Sequence, residues 1–227
     1  MVACDLALLE RWLTGWSLSR GLPLPYHDAG GLRVDVGLPD QLRRHVFADA
    51  GPALQACADT IYTPFTYLKA AVHADVLRRV LPARWVVEAP RSMMLHAGAM
   101  APVRPLPAGY RTQLSAGHGG YLIRILDAAD VVAASGRITL HDGTAVFDRI
   151  ATHEHYRRQG LASALMLALD ALAVQAGVSE RLLSATEAGA ALYATLGWQH
   201  LAPYASAVRL SRRQHATKTA SGSVPAN

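Results

Sequence analysis

The chain has 227 residues, of which 51% are hydrophobic and only 17% are charged. This composition is typical of a globular protein with a sizeable core, and it excludes a disordered chain. Because single domains usually have roughly 100–200 residues, we expect either one large domain or two modest ones, and we take two as the working prediction.

The formal net charge of +5 is concentrated near the C-terminus. Residues 211–227 contain Arg212, Arg213 and Lys218 but no acidic residue, and we predict a disordered basic tail there. Taking these three cations from the 22 Lys and Arg leaves 19 basic against 17 acidic residues. Such a near-balance argues against a nucleic-acid partner, whose phosphates need a broad basic surface.

The two cysteines and the N-terminal stretch indicate the cellular location. Cys4 and Cys57 are isolated, so we expect neither a disulfide framework nor a cysteine metal site. Asp5 and Glu10 interrupt the apolar N-terminal stretch, which is not typical of a signal peptide. No uncharged run approaches the ~20 residues that span a bilayer. We therefore expect a cytoplasmic protein without a membrane partner.

The first hundred residues predict a mixed α+β domain. Residues 5–19 carry apolar side chains at three- and four-residue spacing, which predicts an amphipathic helix. Residues 31–37 alternate apolar and charged side chains, as a strand with one wet face does. The further predicted elements are helices at 52–61 and 68–80 and strands at 84–88 and 92–95.

A proline-rich segment divides the chain. Pro102, Pro105 and Pro107 forbid a helix, so we predict a domain boundary that separates residues 1–105 from residues 106–210. The second domain begins as an antiparallel meander. Its predicted strands are 110–114, 121–126, 131–140, 145–151, 182–185 and 198–210, the last broken at Pro203, and its predicted helices are 161–175 and 188–196.

The turn at 157–162 has the features of an anion site. It reads Arg-Arg-Gln-Gly-Leu-Ala and precedes the helix predicted at 161–175. A helix start presents unpaired N–H groups and a partial positive charge, and two arginines can pair with phosphate oxygens. Gly160 lets the backbone approach an anion closely, and the small Ala162 leaves room beside the helix. The alternative is an ordinary solvated loop before a core helix.

Here the sequence resembles a known family. Arg-x-x-Gly-x-Ala between a strand and a helix is similar to the coenzyme A pyrophosphate loop of the GNAT N-acetyltransferases. Residues 191–198, Ala-Leu-Tyr-Ala-Thr-Leu-Gly-Trp, resemble the later GNAT helix that carries a tyrosine. Two motifs in this order are more specific than either alone. The resemblance covers about 110–210 and implies an α/β (α+β) GNAT fold, a mixed, mostly antiparallel twisted sheet flanked by helices.

The resemblance also implies a cofactor and its binding residues. In the direct transfer of this family, an amine attacks the thioester of acetyl-CoA and the thiolate leaves. The strands around Ile150 and Ser184 are expected to separate and admit the pantetheine arm, with Ile150 as oxyanion donor. The implied cofactor-binding residues are Ile150, Ala151, Thr152, Arg157, Arg158, Gln159, Gly160, Leu161, Ala162 and Ser163.

Two residues are candidates for proton transfer. Tyr193 matches the family tyrosine that can protonate the thiolate; the alternative is a tyrosine packed on the sheet. Asp148 lies two residues before Ile150, which predicts a common strand face, and it is our candidate base. Alternatively Asp148 pairs with Arg149 or a neighbouring strand residue. Glu187 is the competing carboxylate.

Two further positions bear on the site. His153 and His155 form a pair without an apparent third ligand, so we expect exposed loop residues and no metal. Thr186 stands where many GNAT members have an asparagine, which puts that pantetheine or water contact in doubt.

Only residues 115–120 separate the first two strands of the second domain, whereas typical GNAT domains insert two helices there. The N-terminal domain is therefore expected to supply the acceptor wall, like the degenerate GNAT copy in half-GNAT proteins. It contains no second coenzyme loop.

The predicted function is acetyl-CoA-dependent N-acetylation of a primary amine of a small molecule or amino acid. A protein or aminoacyl-tRNA acceptor is a variant of it, and a non-catalytic acyl-CoA sensor or interaction module is the alternative. The acceptor, the acyl length and a homodimer stay open.

Overall fold

The computed structural model describes residues 4–101 and 105–211. Most of the predicted basic tail, residues 212–227, lies outside this part. The described helices are α1 (Leu6–Leu18), α2 (Pro52–Thr60), α3 (Ala74–Val80), α4 (Leu161–Gln175) and α5 (Glu187–Thr195). None of them is long and apolar enough to cross a membrane.

The strands alternate with these helices along both halves of the chain. They are β1 (Tyr26–Asp28), β2 (Gly31–Leu38), β3 (Gln41–Phe47), β4 (Thr66–Ala70), β5 (Trp85–Val87), β6 (Arg91–Ala97), β7 (Arg111–Gly117), β8 (Gly120–Leu126), β9 (Val132–His141), β10 (Thr144–Thr152), β11 (Glu180–Thr186) and β12 (Gln199–Arg209).

All described strands join one sheet flanked by helices. The strand order is β1-β2-β3-β4-β12-β6-β11-β10-β9-β8-β7, and β5 pairs with β12. The pairs β3–β4 and β10–β11 are parallel, whereas the other pairs of the described strands are antiparallel. This mixed, mostly antiparallel sheet confirms the predicted fold class.

The two halves of the chain exchange strands. β6, from the N-terminal half, lies between β11 and β12 of the C-terminal half. β12 in turn pairs with β6 through its first residues and with β4 and β5 through Ala205–Arg209. The domains predicted at 1–105 and 106–210 therefore share one continuous sheet.

The structure corrects the predicted elements in three respects. The helix predicted at 68–80 is wrong in its first part, because Thr66–Ala70 form β4 parallel to β3, and α3 starts at Ala74. Buried strands read as continuous apolar runs, which resemble buried helices. β1 and β3 were not predicted, since polar residues dominate both. β12 is one strand rather than two, with a register shift between His200 and Ala202.

α1 covers the face of the sheet at β9 and β10. Asp5 caps this helix by accepting a hydrogen bond from the Leu8 amide at 2.9 Å. Gly15 allows the close approach, since a Cβ atom there would lie 2.4 Å from Val146 Cγ2. Only a tight turn joins β7 to β8, as predicted. A helix from the N-terminal half thus packs beside strands that lack the usual inserted helices.

We predict that Gly15→Ala lowers the free energy of unfolding by about 1–3 kcal/mol, because the added methyl group overpacks the contact with Val146. The predicted destabilisation is opposite to the effect of helix propensity, because replacing Gly by Ala stabilises an isolated helix by about 1 kcal/mol. Chemical denaturation measures the change. In a Val146→Ala background, which removes the crowding methyl groups, Gly15→Ala should lower the free energy of unfolding by less. A Gly15→Ala variant more stable than the original protein would contradict the close packing of α1 on Val146.

Candidate active site

A cleft opens where β10 and β11 separate. The two strands pair in parallel only from Thr144–Val146 against Glu180–Leu182, although both continue for several residues. Beyond this point a cavity of about 280 Å³ lies between them, lined among others by Ile150, Ser184 and Tyr193. The predicted separation of the strands is confirmed.

A β-bulge shapes the cleft wall on β10. Asp148 pairs with Arg137 and Ala151 with Ser135, so Arg149 and Ile150 together face Gly136. Arg149 has a positive φ of 52°, which is costly for a non-glycine residue and is typical of functional sites. Neither Arg149 nor Ile150 has a partner residue in the ladders with β9 or β11. Both residues therefore interrupt the regular ladder at the point where β10 lines the cleft.

The prediction that Asp148 and Ile150 share a strand face is wrong. Ile150 packs into the core beneath α4, and a Cβ atom on Gly136 would lie 2.5 Å from its Cδ1 atom. Asp148 instead reaches residues at the end of α1, on the opposite face. The extra residue of the bulge resets the two-residue alternation on which the prediction depended.

The carboxylate of Asp148 is held by the N-terminal half. Arg20 Nε and Nη2 each donate to one oxygen at 2.8 Å, and Ser19 Oγ lies 3.0 Å from Oδ2. The side chains of Arg20 and Asp148 are only 22% and 13% exposed. Asp148 therefore does pair, but with Arg20 rather than with Arg149 or a neighbouring strand residue.

Tyr193 lines the cleft from α5. The residue is 7% exposed, and burial raises its pKa to about 12. In the described part of the chain its hydroxyl has no hydrogen-bond partner, although its ring lies 6.2 Å from that of Trp198. Tyr193 is thus packed on the sheet, as the alternative proposed, and it also borders the cleft.

The turn before α4 leaves the start of that helix without a side-chain cap. Gly160 is the N-cap with φ 79° and ψ 0°, and no side chain caps the first turn of α4. The backbone amides at the start of α4 are therefore unoccupied by a side-chain cap. Arg157 and Arg158 are exposed and form no ion pair with any described residue.

The remaining residues of this turn have distinct environments. Leu161 is buried in the core, and Ala162 and Ser163 are half-buried in the first turn of α4. Gln159 is exposed and its Oε1 accepts from the Tyr110 hydroxyl at 2.7 Å. The space around a Cβ atom at Gly160 is empty, so its positive φ, not crowding, requires glycine there.

The other candidate residues lie around or outside the cleft. Ala151 and Thr152 complete β10, with Ala151 exposed. Thr186 lines the cleft, and its hydroxyl caps α5 by accepting from the Gly189 amide. Glu187 borders a different cavity with His200. His153 and His155 are exposed neighbours, and the described residues contain no cluster of three or more metal-binding side chains.

The N-terminal half repeats this arrangement without a cleft. β3, α2 and β4 follow one another as β10, α4 and β11 do, but β3 and β4 stay paired to their ends at Phe47 and Ala70. Before α2, the Asp49 carboxylate accepts from the Gly51 amide at 2.7 Å. A carboxylate at the turn before α2 disfavours phosphate, so within residues 4–101 and 105–211 an uncapped, cationic helix start between two separated strands occurs only in the C-terminal half.

A second cavity adjoins the cleft beneath α1. It measures about 240 Å³ and shares Arg20, Arg91, Phe147, Asp148 and Ser184 with the cleft. We call it the α1 pocket. Its full lining is Trp12, Trp16, Arg20, Gln41, Arg44, Tyr67, Lys69, Glu88, Arg91, Phe147, Asp148, Ser184 and Tyr204.

Sequence reasoning missed most residues of the α1 pocket. Arg44 lies on β3, which was not predicted, and Lys69 lies on β4, which was predicted as helix. Arg20 follows the end of α1, where no periodic pattern marks it. No local motif signals these residues, because the pocket assembles from strands that are distant in sequence.

The comparisons with known proteins fit this geometry. Residues 118–200 match the family model of the acetyltransferase (GNAT) domain. No curated protein matches the sequence significantly. Residues 118–200 of this chain therefore form a GNAT domain.

Solved structures share the fold over most of the chain. A GCN5-related N-acetyltransferase from Kribbella flavida superposes with a TM-score of 0.62 at 16% identity, covering 91% of this chain and 96% of that chain. A GCN5-related N-acetyltransferase-like protein from Streptococcus suis superposes with a TM-score of 0.55 at 14% identity, covering 90% of this chain and 98% of that chain. A GCN5-related N-acetyltransferase from Sphaerobacter thermophilus superposes with a TM-score of 0.56 at 10% identity, covering 79% of this chain and 76% of that chain. These superpositions show a common fold that extends over both halves of the chain.

We predict that Asp148 and Arg20 are energetically coupled. Asp148→Asn and Arg20→Met should each lower the free energy of unfolding by about 1.5–3 kcal/mol, since each leaves a half-buried charge without its partner. A double-mutant cycle by chemical denaturation measures the coupling. Strictly additive losses would show that the ion pair is not a structural link between α1 and β10.

Proposed function

We propose that this protein is an acetyl-CoA-dependent N-acetyltransferase that acts on a primary amine of a small molecule or amino acid. The observation that carries the proposal is the cleft between β10 and β11, with an uncapped, cationic helix start beside it. We also propose that it acts in the cytoplasm.

The residues at the cleft fit coenzyme A. The amides of Gly160, Leu161 and Ala162 and the cations Arg157 and Arg158 would hold phosphate groups. The backbone of the bulge at Arg149 and Ile150 would hydrogen-bond the pantetheine arm and the thioester carbonyl. When bound, acetyl-CoA supplies the activated acyl group.

Tyr193 is the proposed proton donor to the leaving thiolate. Its raised pKa, about 12, keeps the phenol protonated at neutral pH, as a general acid must be. Burial is the cause, and it also makes this phenol a weaker acid than a free tyrosine, so the proton moves only to a strongly basic leaving thiolate.

Asp148 is less suited to the role of base than its position suggested. Both of its oxygens already accept hydrogen bonds from Arg20, so the carboxylate is engaged in an ion pair rather than free to face an amine. Asp148 also lines both cavities, so it can still contact an amine there. Its role as base stays a proposal.

The engagement of Asp148 favours one second candidate. A protein that binds acyl-CoA without transferring the acyl group would need the same cleft but no free base. Release of free thiol from acetyl-CoA across a panel of amines separates the two functions, because the sensor binds coenzyme A and gives no turnover with any amine.

We predict that Tyr193→Phe lowers kcat about a hundredfold and leaves the Kd for coenzyme A within about twofold, because only proton donation is lost. Thiol release and calorimetry measure the two quantities. Unchanged kcat would exclude Tyr193 as the proton donor.

We predict that Gly160→Asp weakens coenzyme A binding by roughly ten- to a hundredfold, because it places a negative charge at the anion site. Gly160→Asn is the matched control, since asparagine tolerates a positive φ and adds no charge. Equal affinities of the two variants would contradict the phosphate site.

A further inference from the structure

The α1 pocket carries buried cations that no carboxylate neutralises. Arg44 is 7% exposed and Lys69 is 6% exposed, and within residues 4–101 and 105–211 neither forms an ion pair. Buried charges in proteins are normally paired, because burial without a counter-charge costs several kcal/mol. The pocket therefore carries an uncompensated positive charge.

The contacts that these cations do make are with neutral groups. In the amide orientation that turns its oxygen toward Arg44, Gln41 accepts from Nη2 at 3.1 Å and from Nε at 3.0 Å. The Arg44 guanidinium lies 3.7 Å from the centre of a Trp16 ring. Lys69 donates to the Ser206 hydroxyl and lies 5.2 Å from the Tyr67 ring centre. These contacts orient the cations without cancelling their charge.

The strand register places these groups on one face of the sheet. Arg44 lies opposite Tyr67 across β3 and β4, and Lys69 lies opposite Ser206 across β4 and β12. Tyr204, two residues before Ser206, lies opposite Arg91 on β6. Side chains at such positions share a face, which α1 covers with Trp12 and Trp16.

Tyr204 adds an unpartnered polar group to the same cavity. The residue is 2% exposed, and its hydroxyl has no hydrogen-bond partner in the described part of the chain. Burial raises its pKa, so the phenol stays protonated and acts as a donor. A buried hydroxyl without a partner is rare, which indicates a group that a ligand would satisfy.

The carboxylates that line the pocket do not balance its cations. Arg20, Arg44, Lys69 and Arg91 face only Asp148 and Glu88. Asp148 is committed to Arg20, and Glu88 forms no ion pair with a described residue. Burial and the neighbouring arginines lower the pKa of Lys69 well below its usual value, and burial lowers that of Arg44 to about 10. An anion would relieve both effects.

We propose that the α1 pocket binds an acidic group of the acceptor, a carboxylate or a phosphate, through Arg44, Lys69 and the Tyr204 hydroxyl. The acceptor class is then amines that carry an acidic group, such as amino acids or amino-alkyl phosphates. The volume of about 240 Å³ suits a small molecule, and Asp148 and Ser184, shared with the cleft, mark the side toward which the amine would extend. The choice of acceptor rests on the proposed acyl transfer, but binding of the acid does not.

The experiment compares acceptors that differ only in the acid. The full-length protein is saturated with coenzyme A, so that the cofactor phosphate site is filled, and is titrated calorimetrically. The probes are amino acids against their carboxamides and amino-alkyl phosphates against amino alcohols. Each acid-bearing probe should bind at least roughly tenfold more tightly than its neutral counterpart. Comparing the amino-acid pair with the amino-alkyl phosphate pair shows whether the pocket prefers a carboxylate or a phosphate.

Variants assign the effect to the pocket. Arg44→Met, Lys69→Met and Tyr204→Phe should each weaken binding of the acid, the two cation variants by roughly ten- to a hundredfold. Arg43→Met is the matched control, because Arg43 lies on the same strand and pairs with Asp35 at the surface. Without ligand, Lys69→Met and Arg44→Met should keep or raise the Tm, since each removes an unpaired buried cation.

Three results would overturn the proposal. These are equal binding of acidic and neutral probes, no binding of any acidic probe, or a lower Tm of both cation variants with unchanged acid selectivity. Acyl transfer is measured separately by thiol release. Tight acid binding without turnover would leave the pocket assignment intact and reject the proposed transferase. Turnover of neutral amines alone would support the transferase and reject the pocket assignment.

Discussion

The architecture of the site depends on the place where β10 and β11 stop pairing. Pairing between the two parallel strands ends at Val146 and Leu182, and a bulge at Arg149 and Ile150 follows on β10 beside the gap. Every other feature of the site is arranged around this gap. α4 starts beside it with unoccupied amides, α5 places Tyr193 along it, and α1 covers the face from which Asp148 projects.

The two halves of the chain make the site together. Each half contains a parallel strand–helix–strand unit, and each receives a strand from the other. Only the C-terminal unit opens, because β3 and β4 stay paired to their ends. The N-terminal half contributes instead α1, which holds Asp148 through Arg20, and the strands that carry Arg44 and Lys69. This division of roles is what a degenerate GNAT copy would provide, and that origin remains a proposal.

The elements of the proposed cofactor side could be predicted from sequence, whereas those of the proposed acceptor side could not. The turn at 157–162 and the helix of Tyr193 are local, since their features follow from residues adjacent in the chain. The bulge was not predictable, because two residues facing Gly136 leave no mark in the apolar alternation, and the relation of Asp148 to Ile150 was therefore wrong. Arg20, Arg44 and Lys69 meet through the packing of α1 on the sheet and the parallel pairing of β3 with β4, which residue patterns do not encode locally.

The central claim is that one half of this molecule binds acyl-CoA and the other half does not. Calorimetric titration of the full-length protein with acetyl-CoA, without an amine, tests it most directly. The structure predicts one molecule bound per chain, because a single pair of parallel strands separates in the described sheet. Two molecules per chain would contradict the assignment of the N-terminal half, and no binding would contradict the cleft as the cofactor site.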